Sequence, residues 1–580
     1  MILQSLVNYY EALAQKGEIS RPGWAKVKVS YALVIDENGA LISVLPLKVP
    51  DENGKKLIPR KFELPAPVKR SVGIEANFLC DNAAYMLGID NKGKPERTIQ
   101  CFEAAKTLHQ SLLSDINDLA AKSLCKFFEN WDISSARANP LFSDIMDELE
   151  NGANLIFMFD EKFLHTNPEI AQAWQTFYDG EEEGEKMCCL ITGKSVVPAA
   201  THPAIKGVYG AQSSGAALVS FNAAAYCSFE RTQNINSPIG KYAAFAYTTA
   251  LNHLLSDKKH VKHSGDTSIV YWAEDAEAQY QDVFSAFFDG GDENIMSNDD
   301  IDDFMKKIVQ GNSINWSGIP LNPDNKFYIL GLAPNAARLS VRFFLVDSFG
   351  NFVRHLKEHY DRLEIVSDNR SKWKTIPLWV LLRETVNKNA SDKSPSAQMS
   401  GDTLRAILTG AFYPATLYQQ TQLRIRAERK ISYEKAAIIK AYLMRNTDNE
   451  DYKEVLQVDL NEQTTYQPYV LGRIFSVLEQ IQEKASGVSS IKDKYFISAC
   501  ATPAVVFPII MSLADKHLRK LDGAMRTYFA KQLTELTSMI TKSYPAHHNL
   551  YDQGIFQLGY YHQTQKRYAK KDKSETTVNT

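Results

Sequence analysis

The periodicity of the apolar residues changes near Asp392, and that change constrains the fold more than any motif does. Upstream, short alternating runs are interspersed with helical stripes. Downstream, every segment repeats with helical spacing. Met1 to Gln15 carries a helical stripe at Leu3, Leu6, Val7, Tyr10 and Leu13. Lys26 to Leu47 reads as two strands around Asp36-Glu37-Asn38-Gly39, a hairpin turn signal. Ile99 to Trp131 reads as one long helical segment and Lys241 to Leu255 as a buried helix. Asn154 to Phe159, Met187 to Thr192, Ala216 to Phe221, Thr267 to Ala273, Phe327 to Leu332 and Leu339 to Asp347 read as strands. Beyond the change, Thr421 to Tyr442, Tyr469 to Lys484 and Leu513 to Ile540 each read as one helix. The expected class is α+β. A large mixed α/β region spans 1–391, a linker 392–401, and a helical bundle 402–565. The tail, 566–580, is basic and polar and reads as disordered.

Net charge is −3 over 580 residues, so charge as a whole does not select a polyanionic partner. Its distribution is uneven. Acid gathers at Asp179 to Glu185 and at Asp289 to Asp303. Between Asp402 and Arg445, eight Arg or Lys face three acids. Arg424, Arg426, Arg429 and Lys430, with Lys435 and Lys440, put base on the Thr421 to Tyr442 helix. Lys516, Arg519, Lys520, Arg526 and Lys531 do so further on. Such helices suit a phosphate backbone or a displaced single strand; a solvated helix face is the plainer reading. Seven cysteines, an odd count without a C-x-x-C spacing, argue against a zinc ribbon or a disulfide framework and for free buried thiols in a reducing cytoplasm. No secretory signal and no membrane span are expected: the most apolar window, Ala499 to Ala514, is short and holds Pro503 and Pro508.

The segment GVYGAQSSGAALVSFN, Gly207 to Asn222, is the strongest candidate for a recognition loop, a tight turn between two strands being the plainer reading. Gly207, Gly210 and Gly215 bracket Gln212-Ser213-Ser214, an amide and two hydroxyls on a backbone free to take positive φ. It is not a nucleophile elbow, because Ala211 stands where the first glycine belongs and a strand is expected to follow. Gly193-Lys194-Ser195 ends like a phosphate loop, but Cys188 sits where its first glycine belongs. A second candidate loop is KRSVGIEANFLCDNAAYMLG. Here Lys69 and Arg70 precede Asn77, Phe78, Asp81 and Asn82, and either Asp81 or Asn82 can cap a helix starting at Ala83. Asn side chains also bridge base edges. His355-Leu356-Lys357-Glu358-His359 matches H-x-x-E-H, which keeps a metal-dependent nuclease or protease using His355 and His359 as the alternative reading. The bland alternative there is a charged, solvated helix.

Three stretches together resemble one family: MILQSLVNYYEAL with GWAKVKVSYALVID, SVGIEANFLCDNAAYMLG, and HPAIKGVYGAQSSGAALVSFNAAAYCSFERTQNINSPIGKYAAFAYTTALNHLL. The chain resembles, nearly end to end, the large subunit of the type I-C CRISPR surveillance complex, Cascade. That resemblance implies an antiviral-defence protein of the prokaryotic cytoplasm that binds and does not catalyse, with no cofactor or metal. It implies a place near the 5′ handle of the CRISPR RNA, beside the backbone subunits, the handle-binding subunit and the small subunits. It implies recognition of the protospacer-adjacent motif in double-stranded DNA, a TTC-type trinucleotide in type I-C. Duplex opening, stabilisation of the R-loop and its displaced non-target strand, and recruitment of the helicase-nuclease would follow. On residue chemistry the motif readers are Asn77, Asn82, Gln212, Ser213 and Ser214 with Lys69 and Arg70, and the duplex wedge is Gln212 or Phe78. The displaced strand or DNA backbone falls to Arg424, Arg426, Arg429, Lys430, Lys516, Arg519, Lys520 and Arg526. In type I-C systems the small subunit is an internal translation product of the large-subunit gene. Met444 and Met399 are the candidate starts here, and the polar stretch after Met444 favours Met444.

Overall fold

A computed structural model of the chain describes residues 1–51, 56–68, 70, 73–180, 184–221, 223–288, 307, 314–316, 319–367, 375–391, 393–488 and 490–567. Lys69, Asp392, the acidic stretch from Asp289 to Asp303, Glu181 to Glu183 and the tail beyond Arg567 lie outside the described residues. The chain divides into two compact units. The first is 1–207, 211–256 and 335–339; the second is 208–210, 257–334 and 340–580.

The first unit is built on two sheets that separate at Ser30. Trp24–Val29 pairs antiparallel with Leu57–Pro65, which also pairs with Lys48–Pro50. One residue later the chain enters the other sheet. There Tyr31–Ile35 lies between Leu41–Pro46, antiparallel, and Asn154–Phe159, parallel. The 26–47 stretch thus holds parts of three strands, because Ser30 turns the chain between sheets. Its N–H donates to Asn154 O and its carbonyl accepts from Leu47 N. The Asp36 to Gly39 turn forms as expected, with Gly39 N–H on Asp36 O at 3.0 Å. The Ile2–Gln15 and Lys241–Ser256 helices pack together. The Tyr10 ring meets Phe245 edge-on at 5.8 Å and Tyr242 at 6.3 Å. The long helix expected over Ile99 to Trp131 is two, Pro95–Leu113 and Leu119–Asn130. Asp118 accepts from Ala121 N–H and restarts the second. The strand expected over Met187 to Thr192 is only Met187–Cys188, paired with Ser195–Val196.

The second unit carries an antiparallel sheet in the order Lys262–Ser264, Thr267–Ala273, Lys326–Asn335, Arg338–Ser348. Thr267–Ala273 is buried along its whole length, which is why its sequence is an unbroken apolar run. Tyr271 packs on Phe284 of the Ala278–Phe288 helix, and Trp272 stacks on Tyr328. One core then runs from Ile269 to Tyr561. The linker expected at 392–401 is therefore not a boundary: Ala397–Thr409 is helical. The Phe349–Leu363 helix buries Phe352, Val353 and Leu356 against that helix and against Tyr433–Asn446.

Two further helices expected as single are pairs. Thr421 to Tyr442 breaks between Ala415–Glu428 and Tyr433–Asn446, where Arg429 takes a left-handed cap and Ser432 accepts from Lys435 N–H. Leu513 to Ile540 breaks between Pro503–Leu518 and Gly523–Ser538, where Asp522 accepts from Met525 N–H. Lys566 and Arg567, assigned to the tail, are ordered by ion pairs to Glu462 and Glu483. Among the described residues, no helix is long and apolar enough to cross a membrane.

Candidate nucleic-acid interface

Gln212, Ser213 and Ser214 are exposed at the tip of a turn closed by Gly215 N–H on Gln212 O at 2.9 Å. All three glycines have positive φ: +93° at Gly207, +74° at Gly210 and +97° at Gly215. Side chains are excluded at Gly215 twice over, since a Cβ there would lie 2.9 Å from both Ala204 Cβ and Ile205 O. Below the tip, Ile205 and Ala216 exchange two backbone hydrogen bonds, of 2.9 and 2.8 Å. Asn252, on the Lys241–Ser256 helix, receives Lys206 N–H on Oδ1 and donates from Nδ2 to Ala204 O. His202 joins Tyr247 of the same helix at 2.7 Å. A mobile-looking glycine sequence is thus a polar tip on a braced base.

The apolar run after the tip is not the buried strand expected. Ala216 bridges Ile205 and Ala217 bridges Arg338, each alone, and Ala217 to Phe221 stay half-buried. The run has a strand's composition, but its edges find only single-residue partners.

Asn77 to Leu79 form a second, more inward bend that leads into a short strand, Cys80–Asn82, paired antiparallel with Asn154–Phe159. Asp81 is buried and accepts from Asn77 N–H at 2.9 Å, Asn82 N–H at 2.8 Å and both terminal nitrogens of Arg70. Arg70 Nε also donates to Glu75 O, and the guanidinium lies 3.9 Å over the Tyr85 ring. Asn82 is the helix cap, accepting from Ala84 N–H at 3.0 Å, and Asn77 Oδ1 accepts from Val68 N–H. Arg70 is thus partly buried and committed to partners within the protein. Phe78 must be dropped as a wedge. It is 1 % exposed, stacked 5.6 Å from Trp174 and 5.0 Å from His109, and a buried ring cannot enter a duplex. His109 accepts from Leu79 N–H on Nε2 and meets Ala105 O at 2.7 Å on Nδ1. That pairing fixes the neutral tautomer with hydrogen on Nδ1. Burial pushes this imidazole down to about 4.

The sequence reading missed a neighbour of the exposed tip. Through the Ala217 bridge, Arg338 is placed with its guanidinium 4.0 Å over the Tyr226 ring. Three residues beyond Tyr226, Phe229 is 93 % exposed. The available signal was a lone aromatic in a polar stretch of turn formers, Cys227 to Asn236.

The basic candidates divide by partner. Arg426 donates to Gln553, Arg429 pairs with Asp493 at 3.8 Å, and Arg526 closes a helix end on the carbonyls of Leu518, Arg519 and Leu521. Lys435 and Lys440, counted as exterior, are buried. Lys435 pairs with Glu428 and Glu384, and Lys440 reaches Arg362 O at 3.2 Å, its pKa pushed down to about 8 by burial. The 415–446 segment faces its core on more sides than a single stripe predicts. Arg424, Lys430, Lys516, Arg519 and Lys520 have side chains with no hydrogen-bond or ion-pair partner among the described residues. His355 and His359 do not converge. His355 Nδ1 meets Leu408 O at 2.9 Å, and His359 Nδ1 meets Tyr413 OH at 2.7 Å. Burial pushes His359 down to about 3. Glu358 is taken by Arg354 and Arg362. No group of three or more His, Cys, Asp or Glu poised for a metal occurs among the described residues.

A family model described as CRISPR-associated protein (Cas_Csd1) matches residues 6–568. Comparison with curated proteins gave no match. The match covers nearly the whole chain, and the protein belongs to this family of CRISPR-associated proteins.

Proposed function

We propose that this CRISPR-associated protein is the large subunit of a type I-C Cascade complex and reads the protospacer-adjacent motif in duplex DNA. The observation that carries the reading is the exposed Gln212-Ser213-Ser214 tip on its braced base. An amide and two hydroxyls, held forward without their own internal partners, match the donor and acceptor edges of a groove. Preorganisation lowers the entropy lost on docking. Asn77 belongs to the same proposal through its partly exposed amide, and Asn82 contributes as the cap beneath it. The protein acts by binding, in the prokaryotic cytoplasm, with no chemical step of its own. Guide pairing matches the target, while this chain checks the flanking duplex, helps open it, steadies the displaced strand and receives the helicase-nuclease. Its partners are the CRISPR RNA 5′ handle, the backbone and handle-binding subunits, and small subunits.

The deciding experiment measures binding of the assembled complex to targets that differ only in the flanking trinucleotide. A preference for one trinucleotide is expected. Equal binding to all of them would remove the motif-reading role. We also propose that the small subunit is the segment from Met444 to Thr580, 137 residues. It would retain the helices Gln467–Ser486 and Leu550–Gln565, which pack backbone against backbone. Intact mass of the purified complex should show a product of that length, and a short product starting elsewhere rejects Met444.

A further inference from the structure

We infer that Phe229 is a base-stacking residue, its ring packing on an unpaired base of the DNA strand engaged by this face. The inference rests on the nucleic-acid reading of the face and names the residue that meets an opened strand. Phe229 is 93 % exposed and makes no ring contact among the described residues. Its backbone is held left-handed, φ +51°, as is that of Glu230, φ +60°. Neither residue is glycine, so both conformations cost free energy that the ring's own contacts do not return.

The loop is nevertheless fixed. Asn236 accepts from Ser228 N–H on Oδ1 and donates from Nδ2 to Arg231 O and Gln233 O, at 3.0 and 2.9 Å. The buried Asn234 donates to the carbonyls of Ala199 and Ala200. These bonds hold the backbone that carries the exposed ring.

The surroundings favour a base over a protein surface. Phe229 is flanked by exposed polar residues, Ser228, Glu230, Arg231, Thr232 and Gln233, and the other large apolar side chains exposed on the loop, Tyr226 and Ile235, are each about half as exposed. Protein docking draws on contiguous apolar area. A single ring can stack on any base face. Arg231 and the Arg338–Tyr226 pair add cationic and aromatic groups, with Glu230 the opposing charge on the loop. The bridge from Ala217 to Arg338 ties this loop to the Gln212 tip, the part read as facing the duplex.

The test uses the assembled complex containing the full chain and a labelled single-stranded oligodeoxynucleotide of about 20 nucleotides, longer than a typical single-strand site. Phe229→Ala and Phe229→Leu should each weaken binding about 5- to 150-fold, the span expected when one base stack is removed. Phe229→Trp should restore it, and the added tryptophan fluorescence should be quenched by the strand. Wild-type binding by either the Ala or the Leu variant overturns the inference, as does a wild-type complex that binds no single strand. Loss of partner subunits from the Ala variant, with strand binding intact, assigns the ring to a protein contact and also overturns it. The duplex series with varied trinucleotides is run on the same variants. A complex without trinucleotide preference but with Phe229→Trp quenching sinks the motif reading and leaves the stacking residue. The reverse result sinks the stacking residue alone.

Discussion

Arg70 and Gln212 suit the same task by residue type, and their surroundings separate them. Gln212 has nothing to hold inside the protein, so Gln212→Ala should leave the melting temperature unchanged. It should cost about 1–3 kcal/mol of discrimination at one position of the motif. Arg70 holds a buried carboxylate, so Arg70→Ala should cost about 2–3 kcal/mol of stability. Melting and motif-dependent binding measured on both variants check the pair; a stable Arg70→Ala protein with flattened discrimination would reverse the assignment. His109 supplies a pH dependence. In the unfolded chain its imidazole titrates near its ordinary 6.5, while burial holds it to about 4 in the fold. Between those values the unfolded state binds the extra proton, so stability falls as pH drops from about 6.5 toward 4. Protonation also removes the acceptor for Leu79 N–H. His109→Gln should show a smaller drop in Tm between pH 7 and pH 5 than wild type. An equal drop shows that other groups carry the acid sensitivity.

At the scale of elements, the Gln467–Ser486 and Leu550–Gln565 helices pack backbone on backbone. A Cβ on Gly472 would overlap Phe556 O, and one on Gly559 would overlap Tyr469 O. Reciprocal glycines permit the approach, and Ser476 with Thr564, and Tyr469 with His562, hydrogen-bond across it. Neither backbone can retreat without unpacking the core on its far side. Gly472→Ala should therefore destabilise the second unit by about 3 kcal/mol or more, above the usual cost of an added methyl in a core. Chemical denaturation of the full chain measures this, and a cost below about 1 kcal/mol would mean the helices slide apart freely. The same element-level logic explains the broken helices. Asp118, Ser432 and Asp522 each accept a backbone N–H at a helix start, and each interrupts a stripe that continues in sequence.

For the whole molecule, a net charge of −3 gives no general attraction to DNA, so any phosphate binding is local. Five of the eight proposed backbone-contacting cations keep side chains available for it. Reversing Arg424, Lys430 and Lys520 together should weaken binding to all DNA targets alike. The salt slope should fall by about 0.7–0.9 for each phosphate no longer neutralised. Reversing Arg426 and Arg526 instead should act on stability, because those side chains bind Gln553 and helix-end carbonyls. A salt slope unchanged by the triple reversal would show a merely solvated surface.

Periodicity and turn chemistry determined much of the local structure. The Lys241–Ser256 helix, the Thr267–Ala273 strand, the Asp36 turn and the α+β class follow from spacing and from residues such as Gly39 and Asn82. Those signals act over a few residues and need no distant partner. The glycines of the 207–215 loop were legible for the same reason, since positive φ is a local demand. What lies against a residue is not local. Phe78 and Phe229 both follow polar residues in loop sequence, yet one is stacked on Trp174 and the other stands in water. Lys435 and Lys440 read as an exterior because a helix shows its spacing but not how many elements surround it. The expected linker is helical from Ala397 onward because the 349–363 helix packs against Ala397–Thr409. Burial, and with it which polar groups remain to meet a partner, was decided only when the tertiary fold formed, since each neighbour comes from a segment tens or hundreds of residues away.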